Sequence, residues 1–353
     1  MSEWKRVKLG EVAKMMRGKA VTRSRIIPGD IPVMLGGREP AYYCNEANHT
    51  GPCFIVSRSG ASAGYVSYWD EPIFVTDGFL FEADSKDDTQ FLYYSLKARQ
   101  QSLIMSQNGT GIPHVRGEDL KNIELAFPTE EERKRIAAIL SDYDAAIANC
   151  RKQIALLEEA AMRLYREWAK KDMGKKVLLV DVVEVVYGFP FEGKLFNSKG
   201  DGLPIVRIRN VPEGESNDYT VETAPDRYVV RDGDLLIGMD GEFYVNFWSG
   251  GDAYLVQRTC RLRPNEARLT GFVREAIRKP IEEFQAAIVG STVGHLGKRD
   301  IDTIKITMPT DSEFVELLQK GFAQQLNYRK QIRSLIEARD RLLPKLMNGE
   351  IEV

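Results

Sequence analysis

RKQIALLEEAAMRLYREW, residues 151–168, is echoed by RKQIRSLIEARDRLLPKL at residues 329–346, at an offset of 178. Both read as amphipathic helix. In the first copy Ile136, Leu140, Tyr143, Ile147, Cys150, Ile154, Leu157, Ala161, Leu164 and Trp168 step alternately by four and three, the seam of a coiled coil. Thr129, followed by Glu130, Glu131 and Glu132, supplies an N-cap and an acidic first turn. In the second copy the matching positions are Phe314, Leu318, Gly321, Gln325, Tyr328, Ile332, Leu335, Arg339, Leu342 and Leu346, apolar at most places but polar at Gln325 and Arg339. Each helix is expected to run about 35 to 40 residues, roughly 50 to 60 Å at 1.5 Å per residue. One such helix alone could pack on its own domain. Two matched helices of that length find their most economical partner in each other, which predicts an antiparallel pair.

Working outward, NGTGIPHVRGEDLKNIELAFPT (108–129) aligns with VGSTVGHLGKRDIDTIKITMPT (289–310) at an offset of 181. The alignment places Gly109, His114, Asp119, Ile123, Pro128 and Thr129 on Gly290, His295, Asp300, Ile304, Pro309 and Thr310. Gly60 falls on Gly241 and Val75 on Val256 at the same offset, while VKLGEV at 7 meets VLLVDV at 177 at an offset of 170. So long a period means a duplicated domain, since each unit can bury its own core. FIVSRSG, AGYVSYW, PIFVTDGFLFEA, LPIVRIRNV, GDLLIGMDG and YLVQRTCRL read as strands. TQFLYYSLKARQQSLIM and TGFVREAIRKPIEEFQAAI read as helices, giving mixed α/β units without a regular βαβ series. The expected layout is a domain over 1–128, a first long helix over 129–173, a second domain over 174–310, and a second long helix with its tail over 311–353.

With 353 residues, 43% hydrophobic and 28% charged, the chain suits two globular domains. No apolar run approaches the length needed to cross a bilayer, and MSEWKRVKLGEVAKMM lacks a secretory h-region, so a cytoplasmic location is expected. Cys44, His49 and Cys53 cluster, but structural zinc wants four nitrogen or sulfur ligands, and the cluster is read as loop and strand residues. Net charge is −2, and the first domain holds 15 basic and 15 acidic side chains, the second 18 and 20. A protein gripping DNA by phosphate neutralisation alone would carry a basic surplus. Either the chain does not bind DNA or a partner does much of the gripping.

WKRVKLGEVAKMM and VLLVDVVEVV at the two domain starts, GTGIPHV with EDLKNIELAFPTEEERKRIAAIL, LYREW, GFPFEGKLFNSKGDGLPIVRIRNV, GDLLIGMDG with LVQRTCRL, and RLLPKLMNGEI together carry a resemblance. Nearly the whole chain resembles the specificity subunit of type I restriction-modification enzymes. The resemblance implies two α/β target recognition domains separated by two long antiparallel coiled-coil helices in a pseudo-two-fold repeat. Each domain would read half of a split double-stranded DNA site. The subunit is not catalytic in that family. Two modification subunits, which bind S-adenosylmethionine and methylate adenine, would flank it, and restriction or translocase subunits can be added. Independently, two homologous units in one chain suit a DNA site with two half-sites, and unlike units suit unlike half-sites.

Base edges in the major groove are read by Arg, Lys, Asn or Gln side chains carried on exposed loops. Candidates in the first domain are Arg17, Lys19, Arg23 and Arg25 in RGKAVTRSR, Arg38 and Tyr42 in LGGREPAYY, and Arg58 and Ser59 in SRSGASAG. In the second they are Lys194, Arg207, Arg209, Asn210, Met239, Asp240 and Arg258. The plainer account of any one Arg is a solvated or internally paired side chain. His114 and His295 share a repeat position and are read as structural. GFPFEGKL nearly spells a P-loop, but Leu195 stands where Ser or Thr would ligate magnesium. FEADSK near Asp77 lacks the tight acid and lysine arrangement of a metal nuclease, and no N-P-P-Y or D-P-P-Y run occurs. Three readings therefore stand: a DNA-reading adaptor without catalytic residues, metal or cofactor of its own; an enzyme with its own nuclease or methylase site; and a scaffold that binds only protein.

Overall fold

The computed structural model describes residues 4–21, 27–105, 114–171, 174–287 and 294–353. The chain separates into two compact units, one made of Met1–Ile147 with Leu335–Val353, the other of Ala148–Ser334. Both boundaries fall inside the long helices, Glu130–Ala169 and Ser312–Met347. Each unit thus contains one α/β domain, part of the first long helix and part of the second.

In the first unit four antiparallel strands lie in the order Lys14–Arg17, Gly78–Glu82, Cys53–Ser57, Val66–Trp69. A smaller sheet adds Tyr42–Cys44, Ile31–Met34 and Phe74–Val75, the last two parallel. The second unit repeats this plan. Its main sheet runs Val183–Tyr187, Thr259–Pro264, Leu235–Gly238, Val245–Phe247. Its smaller sheet again contains one parallel pair, Leu203–Val206 with Ala253–Leu255. A two-stranded ribbon joins the ends of each domain, Lys5–Lys8 with Glu124–Phe127 and Lys175–Leu178 with Lys305–Met308. The apolar, β-branched runs seen in sequence form the central strands because both faces are covered, and Cys53–Ser57 is buried throughout.

The repeat holds bond by bond. The Leu9 N–H donates to Ile123 O at 2.9 Å and the Leu179 N–H to Ile304 O at 2.8 Å. Gly18 N–H reaches Gly78 O at 2.9 Å, as Gly188 N–H reaches Thr259 O at 3.0 Å. Positions 9 and 18 map by the offset of 170, positions 78 and 123 by 181.

The first long helix opens with a capping box: Glu132 N–H donates to the Thr129 hydroxyl at 3.3 Å, and Thr129 N–H to the Glu132 carboxylate at 2.9 Å. In the first unit Ile136 and Leu140 share a core with Leu343 and Leu346, and Asp144 meets Arg339. In the second, Cys150 meets Gln331, and the rings of Trp168 and Phe314 stack at 5.1 Å between centroids. Within each unit rising numbers on one helix meet falling numbers on the other, so the two run antiparallel. The helices also belong to the domain cores. Ile136, Leu140, Leu343 and Leu346 pack with Phe54, Phe81 and Phe91, while Ala161, Leu318 and Phe322 pack with Leu235, Leu262 and Phe272. Each buried Leu or Phe contributes about 1.5 to 3 kcal/mol. Pairing with each other and packing on the domains, alternatives in the sequence, are both realised.

Candidate nucleic-acid interface

In the second unit, strand ends and turns form a cleft of about 590 Å³. Phe191, Phe196 and Tyr244 provide aromatic walls, and Arg207, Arg209 and Arg258 line it with Asp240 and Glu242. The Arg207 guanidinium lies 5.5 Å from the centre of the Phe196 ring. Arg209 is forked onto Asp218, with Nη2 at 2.6 Å and Nε at 3.1 Å from Oδ2. Arg258 donates through Nη1 to Asp240, whose other carboxylate oxygen lies 2.5 Å from His295 Nδ1. Burial opposes ionisation of Asp240, but the hydrogen bonds from His295 and Arg258 outweigh it and hold the carboxyl below its ordinary range. Outside the lining, Lys194 pairs with Glu192 at 2.6 Å.

The first unit presents a related margin. The Arg58 Nε donates to Asp77 Oδ1 at 2.5 Å, and the Ser59 hydroxyl donates to the other oxygen of the same carboxylate. The Arg38 guanidinium lies 5.3 Å from the Tyr65 ring centre, and Lys97 Nζ lies 4.5 Å from it. Ser57 closes the strand below, its hydroxyl donating to Gly37 O at 3.4 Å. Cationic groups on aromatic faces and in carboxylate clamps are ordered before any ligand arrives, and Arg in particular keeps free N–H edges when one edge is engaged. Chemically, both margins can donate fixed hydrogen bonds to planar acceptors and offer aromatic faces for contact.

Residues 1–159 match the family model described as "Type I restriction modification DNA specificity domain". The chain is 26% identical to the type I restriction enzyme MjaIX specificity subunit of Methanocaldococcus jannaschii over 85% of this chain and 78% of that one. It is 24% identical to the MjaVIII specificity subunit of the same organism, over 99% of this chain and 93% of the relative. Its fold matches the crystal structure of a type I restriction-modification S subunit from M. genitalium with a TM-score of 0.62, at 20% identity and over 98% and 96% of the two chains. Along nearly its whole length the chain resembles type I specificity subunits. The two α/β units and the antiparallel long helices are the architecture expected from sequence.

The candidate readers distribute unevenly over the chain. Arg207, Arg209, Asp240 and Arg258 come together in one cleft. Arg38 and Arg58 lie on the related margin of the first unit, as does Ser59, while Tyr42 is half-buried in the small sheet. Arg17 and Lys19 are exposed at the end of the Lys14–Arg17 strand, where the Lys19 N–H is bound to Val75 O at 2.9 Å. Arg23 and Arg25 lie outside the described residues. Met239 requires correction: it is 6% exposed and packs with Leu235, Ile237 and Leu262, because it directly follows the buried strand Leu235–Gly238 and joins the same core cluster. Asn210 serves the backbone, its side-chain oxygen accepting the Arg207 N–H at 3.0 Å. Asp77 and Asp218 were missed as partners of the candidate arginines, and only the repeat alignment, which sets Asp77 on Arg258, signalled the first. The near P-loop GFPFEGKL ends in a single turn, Gly193–Leu195, not a long helix. Cys53 is fully buried, which pushes its thiol up to about 12, and the Cys44 thiol donates to Glu46 O at 3.0 Å.

Proposed function

We infer that this chain is the sequence-reading component of a type I restriction-modification complex, in which each α/β unit reads one half of a bipartite double-stranded DNA target. The observation that carries this is a scaffold duplicated down to individual backbone hydrogen bonds, with different side chains on the matching loops. A shared scaffold gives two equivalent poses on a roughly dyadic duplex, and unlike loops read unlike bases.

The long helices act as the spacer between readers and as the dock for two modification subunits, which supply S-adenosylmethionine chemistry. Restriction subunits can join the same assembly. An apolar groove of about 370 Å³ between the long helices of the second unit, lined by Leu157, Ala161, Leu164, Leu317, Leu318 and Gly321, supports a docking role. Leu317 is half-exposed there and Gly321 faces open space, so an apolar ridge can enter. Near-neutral charge fits the same reading, because modification subunits enclosing the duplex would provide most phosphate contacts. The chain contributes no catalytic group of its own.

The test is domain exchange. Residues 10–127 are replaced by those of a relative, the chain is co-expressed with its modification subunit, and methylated sites are mapped on genomic DNA. One half of the methylated motif should change and the other should persist. Changes in both halves would reject independent reading, and methylation by the purified chain alone with S-adenosylmethionine would reject the non-catalytic role.

A further inference from the structure

One corner in each unit is built on the same backbone bonds. In the first unit Arg58 N–H donates to Asp77 O at 3.2 Å and Val115 N–H to Arg58 O at 2.9 Å. In the second, Met239 N–H donates to Arg258 O at 2.9 Å and Leu296 N–H to Met239 O at 2.8 Å. The three pairs of positions, 58/239, 77/258 and 115/296, are related by the single offset of 181. So are the bridges Ser59 to His114 and Asp240 to His295, and the glycines Gly60 and Gly241, with φ of 81° and 72°. A Cβ at either glycine would meet open space, so the conformation, not crowding, demands glycine.

The side chains do not follow the offset. Asp77 occupies the place of Arg258, Ser59 that of Asp240, and Arg58 that of Met239. Yet each corner holds one arginine on one carboxylate. The first unit takes its acid from the 77/258 position and its arginine from the 58/239 position. The second takes its arginine from 77/258 and its acid from 59/240. The same chemical pair has been built at the same corner from exchanged positions, which chance surface charge does not explain.

Three features give the pair a task. First, in the second unit the acid sits beneath the arginine, Asp240 being 14% exposed and Arg258 59%, while in the first unit Asp77 and Arg58 are both partly buried. Second, Arg258 is the one non-glycine residue with positive φ, 69°, among the described residues, a strained conformation of the kind held at working sites. Third, the engaged nitrogens leave a usable edge. Arg58 is held by Nε, which leaves its two terminal nitrogens, and Arg258 by Nη1, which leaves Nε and Nη2. Either edge presents two parallel N–H groups, the complement of guanine O6 and N7. A carboxylate beside the arginine repels phosphate, so the pair suits a base edge and not the DNA backbone.

We propose that Arg58 and Arg258 are equivalent guanine readers, one per half-site, and that Asp77 and Asp240 are positioning residues that aim them. His295 supports the second pair by holding the far oxygen of Asp240. Asp240, a candidate reader from sequence, therefore acts through Arg258. The proposal rests on the DNA-reading function inferred above and adds the base and the residue that reads it.

The experiment uses the assembled complex of this chain with its modification subunit, with methylated sites mapped on genomic DNA for wild type, Arg58→Lys, Arg258→Lys, Asp77→Asn, Asp240→Asn and the double variant Arg258→Lys/Asp240→Asn. Arg258→Lys keeps the charge but loses the fork. It should relax one guanine position in one half-site by roughly tenfold or more, with the other half unchanged. Arg58→Lys should do the same in the opposite half. Each Asp→Asn variant should relax the same position as its arginine, and the double variant should be no worse than Arg258→Lys alone, since Asp240 acts only through Arg258. A structural role would instead lower methylation at every site alike. An unchanged motif, uniform loss, or failure of the Arg→Lys complexes to assemble would each overturn the proposal. If wild type itself yields no two-part methylated motif, it is the DNA-reading function that fails.

Discussion

Arg274 is 2% exposed, and a guanidinium that deep survives only among acceptors. It donates to Gln325 Oε1 at 2.7 Å and Glu158 Oε1 at 2.8 Å, and Arg278 also donates to Glu158, at 2.7 Å. Burial opposes ionisation of Glu158, but the two arginines prevail and hold its carboxyl below the ordinary range. The neighbouring Glu275 is moved the other way, raised by burial against the attraction of Arg278 and Arg274. The signs decide the pH response. A depressed folded-state value means that Glu158 adds stability above its unfolded value of about 4.3, and that this is lost as pH falls through the folded value. Glu275 works oppositely, favouring the folded state as pH falls. Glu158→Gln should therefore lower the unfolding temperature at pH 7 and leave a smaller further drop between pH 7 and pH 3.5 than in wild type. Calorimetry reads both, and an undiminished acid drop would show that Glu158 is not its source.

At the scale of the element, the polar residues in the second helix's seam have partners that no helical wheel displays. Gln325 accepts from Arg274, which belongs to the domain helix Thr270–Ala287. Arg339 Nη1 donates to Asp144 Oδ1 at 2.5 Å, and the Tyr94 hydroxyl, from the helix Lys86–Lys97, donates to Asp144 Oδ2 at 2.7 Å. Burial, then Asp144, push the Tyr94 phenol up, so it remains a donor. Each interruption of the seam thus ties helix to helix and helix to domain, which fixes register where apolar contacts alone would tolerate a slip. In a double-mutant cycle of Asp144→Ala and Arg339→Ala, followed by denaturant unfolding, the coupling should be about 0.5 to 3 kcal/mol. Additive losses would mean that the pair contributes nothing specific.

For the whole molecule, the spacer role proposed for the long helices can be tested by changing their length symmetrically. Cys150 Sγ lies 3.7 Å from Gln331 Oε1, so heptads inserted between Cys150 and Ile154 and between Tyr328 and Ile332 would stand opposite each other. A heptad adds about 10 Å along a helix, and about 3 base pairs of duplex cover that distance at 3.4 Å each. Groove rotation and DNA bending reduce the gain to roughly 1 to 3 base pairs in the unread gap. Mapping of methylated sites should show unchanged half-sites with a longer gap. Retained activity with the original gap would exclude the helices as the ruler.

The amino-acid order by itself determined the duplication, the mixed α/β units and the paired long helices, because these rest on periodicity and on the offsets of 170, 178 and 181. Such patterns are local or self-similar and need no coordinates. Thr129 with Glu132 could be read as a helix start for the same reason. What each charged side chain does was decided only by tertiary structure. Arg58 meets Asp77 and Arg258 meets Asp240 across 19 and 18 residues of chain, and Arg339 meets Asp144 across 195. Met239 was misjudged because a strand's inward and outward faces are assigned by what packs on them, and here Leu235, Ile237 and Leu262 enclose it. A single charge carries no periodicity. Its partner is chosen by how the sheets and helices bring distant segments together, where burial removes the competing water and leaves one neighbour to satisfy it.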